Sequence, residues 1–214
     1  MKKHLMFLLA LGMLLALTAC GGEKADEIEE PFVVNHLLNE CDPSDMGTGE
    51  WPVSIDPATV EDNEAGNTVR LDLYSMEYYD AAELSRLKPG DGIIIENELF
   101  TVESMEDTEN GKRINGGLEN DGYDLVSLGG GVYRVSGYDD AATYIDVAGL
   151  NINMPKDIVL TDGSAAPDAE PAVYTGDVEV ANFLRSGAVA IGPHNTLAHF
   201  TDGELTEIEI RYAP

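Results

Sequence analysis

Apolar and polar residues alternate through the stretch after Asn67, where Val69, Leu71 and Leu73 interleave with Arg70, Asp72 and Tyr74. A period of two sends successive side chains to opposite faces, so this run predicts a half-buried strand. Comparable short runs recur between turn formers: Pro89-Gly90-Asp91-Gly92, Asn110-Gly111, Asn115-Gly116-Gly117, Asp121-Gly122, Gly129-Gly130-Gly131, Asp162-Gly163 and Asp202-Gly203. Turn signals at roughly this spacing predict short strands joined as antiparallel hairpins. Gly92–Glu96 is expected to pair with Leu99–Glu103 across Asn97 and Glu98, and Tyr123–Leu128 with Val132–Ser136 across the three glycines. A third hairpin runs from Thr196–Phe200 through Asp202-Gly203 into Leu205–Tyr212, with Thr206, Ile208, Ile210 and Tyr212 expected on one face.

The period lengthens to that of a helix in two places. Asp80 is positioned to cap a helix, Glu83 completes the capping-box spacing, and Ala81, Leu84 and Leu87 share a face before Pro89 stops it. A helix of about two turns depends on packing against a sheet. The second runs from Asp177 to Ser186 with Gly187 as its stop, although Val178 and Val180 suit a strand equally well. The predicted fold is mainly β, with antiparallel hairpins forming a sandwich or partly open barrel and one or two short helices. The small-residue, proline and acid stretch 162–171 reads as a linker between a main β-rich module (32–161) and a C-terminal hairpin module (172–214) packed on it.

The N-terminus has a different pattern. Lys2 and Lys3 precede an apolar run from Leu5 to Thr18, which is short for a membrane-spanning helix and matches an export signal. The run ends Leu17-Thr18-Ala19-Cys20-Gly21. This resembles the lipobox of bacterial lipoproteins, and the resemblance covers about the first twenty residues. It implies cleavage after residue 19 and a diacylglyceryl group on the Cys20 thiol, which would hold the protein on the outer face of a membrane, either at the cell exterior or in a periplasm. Residues 20–31, small and charged without an apolar face, then read as a flexible tether.

Charge narrows the partners. The chain of 214 residues carries a formal charge of −28, and loss of Lys2 and Lys3 with the signal takes it to −30. Such a surface repels nucleic acid and anionic lipid. With Cys20 lipidated, Cys41 has no partner for an intramolecular bond. Its neighbours Glu40 and Asp42 oppose a thiolate, which favours a structural role over a nucleophilic one.

Catalytic patterns are sparse. Ser85-Arg86-Leu87-Lys88 matches the Ser-x-x-Lys spacing, but the serine falls late in the predicted helix and no Ser-Asp-Asn or Lys-Thr-Gly partner occurs. The sequence has no Gly-x-Ser-x-Gly, His-Glu-x-x-His, P-loop or dinucleotide fingerprint. His194 and His199, with Asp202 nearby, would make a metal site only if a turn brought them to one side. Acidic loops supply hard oxygen ligands for calcium at Asp107, Glu109, Asp121, Asp139 and Asp140, without an EF-hand loop. Seven of the nine tyrosines lie between positions 74 and 144, and Tyr78, Tyr79 and Tyr138 are the candidates for an exposed aromatic ligand surface. Trp51 reads as a core plug. The functional expectation is a membrane-anchored binding or interaction module whose partner is an envelope protein or a glycan; the alternative is a cell-envelope hydrolase using a carboxylate pair.

Overall fold

The computed structural model describes residues 30–64 and 66–213, apart from the side chain of Asp139. The expected signal (1–19), the lipidation site Cys20 and nearly all of the tether lie outside the described residues. Residues Pro31–Pro214 form one compact unit.

The fold is mainly β. Strands are numbered in chain order. The largest sheet runs β12 (Tyr144–Asn153), β4 (Gly66–Met76), β2 (Gly49–Ser54), β15 (Thr196–Thr201), β16 (Glu204–Ile210), β13 (Val159–Asp162) and β14 (Ala172–Thr175), with β3 (Glu61–Asn63) folded back on β4. A five-stranded sheet has the order β5 (Tyr78–Asp80), β11 (Val132–Ser136), β10 (Tyr123–Gly129), β9 (Gly111–Ile114) and β8 (Met105–Asp107). The hairpin of β6 (Gly92–Ile95) and β7 (Glu98–Thr101) makes a third sheet with β1 (Val33–Val34), which joins β6 in parallel. All three expected hairpins form with antiparallel register. Residues 162–171 connect β13 to β14, which pair antiparallel, and β15 pairs with β2; the C-terminal strands therefore share a sheet with those from the N-terminal part.

One ribbon links two cores. From Asn67 to Tyr79 every second residue is buried: Asn67, Val69, Leu71, Leu73, Ser75, Glu77 and Tyr79. Val69, Leu71 and Leu73 enter a core with Phe200, Ile208 and Leu184. Tyr79 enters a second core with Ile93, Ile95, Ile114 and Leu125. Ser75 and Glu77 are the polar step between them. Residues 37–39 are fastened along this step. Asn39 donates its backbone N–H to Ser75 Oγ at 2.7 Å, and Leu37 exchanges backbone hydrogen bonds with Tyr78.

The last hairpin shows how register is corrected. Ile208 and Ile210 face the core as the alternation predicts, but Leu205 is buried and Thr206 is exposed. A bulge between His199 and Phe200 re-phases the pairing, so that Leu205 opposite Phe200 and Ile208 opposite Ala198 both point inward.

Both helices form. α1 (Ala81–Leu84) starts at Asp80, whose Oδ1 accepts the N–H groups of Ala82 at 2.7 Å and Glu83 at 3.1 Å. α2 (Asp177–Ser186) buries Asp177, Val180, Ala181 and Leu184, the stripe that a period of 3.6 selects. Gly187 ends it in the left-handed region at φ 59°, where glycine is the least strained residue. Burial of Val180 and Leu184 contributes about 1.5–3 kcal/mol each. Polar contacts fix the helix on the sheet. Asp177 Oδ2 accepts from Lys156 Nζ at 2.7 Å and from Asn67 Nδ2 at 3.1 Å, while Asn67 Oδ1 accepts from Arg185 at 2.6 Å. Among the described residues no helix is long and apolar enough to cross a membrane.

Candidate functional site

Three stretches of the chain, 138–144, the turn at His194 and 212–213, meet around a cleft of about 740 Å³ lined by Tyr138, Ala141, Ala142, Tyr144, His194, Tyr212 and Ala213. Tyr138 sits on the single 3-10 turn after β11, Tyr144 opens β12, His194 lies in the turn before β15, and Tyr212 follows β16. Small side chains at 141, 142 and 213 leave the space that the aromatic rings border. The volume is within the range of about 300–1,000 Å³ typical of small-molecule sites.

Each wall has an identifiable support. The Tyr138 turn is pinned from behind by Asp140, whose Oδ1 accepts from Arg134 at 2.6 Å and from Ser136 Oγ at 2.8 Å. Those two bonds, the serine's first, hold the Asp140 carboxyl below its ordinary pKa. Ser136 and Ala142 form an isolated bridge, and Gly137 donates to the Ala141 carbonyl at 2.7 Å, closing the turn. Tyr144 pairs with Met76 across the sheet and meets the His194 ring edge-on, with centroids 5.0 Å apart. His194 is placed by a tight turn in which Asn195 Oδ1 accepts from the Gly192 N–H and Thr196 N–H reaches the Gly192 carbonyl. The Asn195 carbonyl in turn accepts from the Arg211 N–H at 2.7 Å, which positions the chain leading to Tyr212.

Among the described residues the lining of the cleft holds no acid, lysine or arginine and is amphipathic. Burial, followed by the nearby Tyr78, pushes the Tyr144 phenol above its ordinary value, so it stays a hydrogen-bond donor at neutral pH. Arg134 and Arg211 act on it in the opposite sense, but each is bound to a carboxylate, Asp140 and Glu209 respectively. Tyr138 is 74% exposed and Tyr212 42% exposed, so both present aromatic surface to solvent.

The three tyrosines singled out from the sequence therefore separate. Tyr138 lines the cleft. Tyr78 is half-buried in β5. Tyr79 is fully buried, its hydroxyl donating to the Ile94 carbonyl at 2.7 Å. Tyr144 follows Tyr138 on the same stretch of chain, whereas His194 and Tyr212 join them only through the sheet topology, a proximity with no local sequence signal.

The acidic candidates are partly brought together. Asp107, Glu109 and Asp140 line one open groove of about 900 Å³ with Tyr133, whereas Asp121 ends a 3-10 turn in the left-handed region at φ 58°. Asp139 has its side chain outside the described residues. Asp107 is bonded to Lys112 at 2.6 Å and Asp140 to Arg134. Among the described residues no group of three or more acids, histidines or cysteines is placed to hold a metal ion. His199 contacts Glu209 at 3.3 Å and Glu50 at 4.0 Å, while His194 packs on Tyr144. Ser85 caps the C-terminal end of α1 and donates to the Ala82 carbonyl. Trp51 is half-buried against the first core, as is Cys41, whose thiol is pushed up by burial and then by Asp42.

Away from the cleft, one buried acid was not singled out from the sequence. Glu77 is fully buried; its Oε1 lies 2.7 Å from His36 Nδ1 and accepts the Glu96 N–H at 2.9 Å, while Oε2 has no hydrogen-bond partner. The signal was the alternation itself, which carries past Leu73 and puts position 77 on the inward face. Compared with known proteins, the chain matches no family model, no curated protein and no solved structure.

Proposed function

We propose that the protein is a lipoprotein held at the extracytoplasmic face of a membrane through lipid on Cys20, and that its folded part is a binding module whose ligand site is the tyrosine-lined cleft. The observation that carries the binding reading is the convergence of Tyr138, Tyr144, His194 and Tyr212 from three stretches of the chain onto one concave surface whose described lining carries no acid, lysine or arginine. Exposed aromatic area of this kind is costly to leave in water and is characteristic of recognition surfaces. The lipobox resemblance at Leu17–Cys20 supports the address, and the −28 charge supports a solvated, extracytoplasmic setting.

The hydrolase reading requires two close carboxylates at a concave site. Of the three acids of the open groove, Asp107 is engaged by Lys112 and Asp140 by Arg134, and Glu77 is buried beyond the reach of a substrate, so the arrangement favours binding. Two measurements test the proposal. Cells expressing the Cys20→Ala variant should lose fatty-acid labelling and release the protein from the membrane fraction; unchanged retention would overturn the anchor. Isotope-labelled residues 31–214 mixed with fractionated envelope components should show NMR shifts centred on the four cleft residues. Shifts centred elsewhere, or none with any fraction, would overturn the binding site.

A further inference from the structure

The cleft's chemistry constrains what it can take. Among the described residues no carboxylate, lysine or arginine lines it, so a charged ligand would be desolvated there without a counter-charge from them. The two guanidiniums near Tyr144 make its surroundings no better for a cation, and each is already neutralised by its own carboxylate. A polyanion is repelled by the whole molecule, which carries −28. The lining offers two other things. Aromatic carbon stands exposed at Tyr138 and Tyr212, and three phenols with one imidazole can both donate and accept hydrogen bonds. Alternating apolar C–H faces and equatorial hydroxyls are the complement of such a surface.

We propose that the cleft binds a neutral glycan, with a pyranose ring stacked on Tyr138 or Tyr212 and its hydroxyls hydrogen-bonded by the Tyr144 phenol and the His194 imidazole. This rests on the reading of the cleft as the ligand site and names its ligand class. The Tyr144–His194 contact is part of the device, because packing edge-on fixes the imidazole beside a phenol that remains protonated. The Asp140–Arg134–Ser136 brace holds Tyr138 at the rim, so its ring is presented without much ordering on binding.

Residues 31–214, a compact unit with both cores, provide the material for the test. NMR titrations would use tetrasaccharides of β-linked glucose, N-acetylglucosamine, mannose and galactose, with tetramethylammonium, heparin and a proline-rich peptide as the comparison arms. At least one neutral tetrasaccharide should shift Tyr138, Tyr144, His194 and Tyr212 saturably, with an affinity unchanged between low and high salt. Tyr138→Ala and Tyr212→Ala should each weaken it at least tenfold, while the exposed Val173→Ala should not. Tyr138 and Tyr212 are exposed enough that their loss leaves the fold intact, and an unchanged amide spectrum outside the cleft verifies this. Tetramethylammonium or peptide acting at the cleft while all four sugars fail would overturn the glycan assignment and leave the binding-site reading standing. Failure of every arm at the cleft would overturn the glycan assignment, and the envelope-fraction experiment then decides the site itself.

Discussion

Replacing His36 with alanine should destabilise the protein far more than a single surface-proximal histidine suggests. Glu77 is 0% exposed, and its carboxylate receives two hydrogen bonds, both on Oε1. The His36 contact, at 2.7 Å, has the length of a charge-assisted bond. Its removal leaves a buried charge supported only by the Glu96 N–H, and breaking a buried pair from one side costs about 3–5 kcal/mol. For a unit of this size about 4 kcal/mol corresponds to a fall in Tm of roughly 10 °C. A second consequence is local. His36 precedes Leu37, whose N–H donates to the Tyr78 carbonyl at 2.7 Å, so the strap at residues 36–39 should loosen with it. The assay is thermal melting of residues 31–214 with amide hydrogen exchange at Leu37 and Asn39. The double variant His36→Leu/Glu77→Gln removes the charge but retains a carbonyl oxygen for the Glu96 N–H, and should recover at least half of the loss. A His36→Ala cost below about 1 kcal/mol, or a double variant as unstable as the single, would refute the reasoning, because either result means that no uncompensated charge was left behind.

Asp177 should give the protein an acid-sensitive limb. Bonds from Lys156, then Asn67, hold its folded pKa below the usual carboxylate range, so its contribution is present above the unfolded value of about 4 and is lost as pH falls through the folded one. Asp177→Asn should therefore be less stable than wild type at pH 7, with the gap closing below about pH 4 in urea titrations; a constant gap from pH 7 to acid would rule this out. Gly111→Ala should disrupt the five-stranded sheet, because a Cβ there would lie 1.8 Å from the Leu125 carbonyl oxygen. A loss of about 3 kcal/mol is expected for a backbone clash of this kind, read as a lower urea midpoint, and an unchanged midpoint would show that the β9–β10 pair can open without cost.

What the sequence revealed depended on how local the cause was. The hairpins at 92–103, 123–136 and 196–212 were legible because turn chemistry and alternation act over a few residues. The same is true of α2, where the Gly187 stop and the stripe of Val180, Ala181 and Leu184 are both written in adjacent turns. The exposed Thr206 was not legible, since the bulge that moves it outward is decided by pairing with β15. The segment 162–171 reads as a linker by composition, yet composition says nothing about the register that joins β13 to β14 on one side and β16 on the other.

Glu77 and the cleft mark the two remaining kinds of case. Glu77 was within reach of a purely local argument. Extending the period of two from Val69 through Leu73 puts Ser75, Glu77 and Tyr79 inside, and a buried acid demands a donor, which His36 supplies from 41 residues away. The alternation predicts the burial but not the partner. The cleft lies a step further out of reach, because its four aromatic residues come from segments brought together by the order β12–β4–β2–β15–β16 and by the turn after β11. Tyrosine enrichment between 74 and 144 pointed to aromatic surface without separating Tyr79, sealed in a core, from Tyr138, standing in solvent. Burial phase makes that separation: Tyr79 is the seventh inward position of a continuous ribbon, whereas Tyr138 follows Gly137 on a turn where the alternation has ended. Aromatic residues just beyond the end of an alternating run are thus the ones free to face a ligand, and Tyr138 and Tyr212, each placed after a strand, both satisfy that condition.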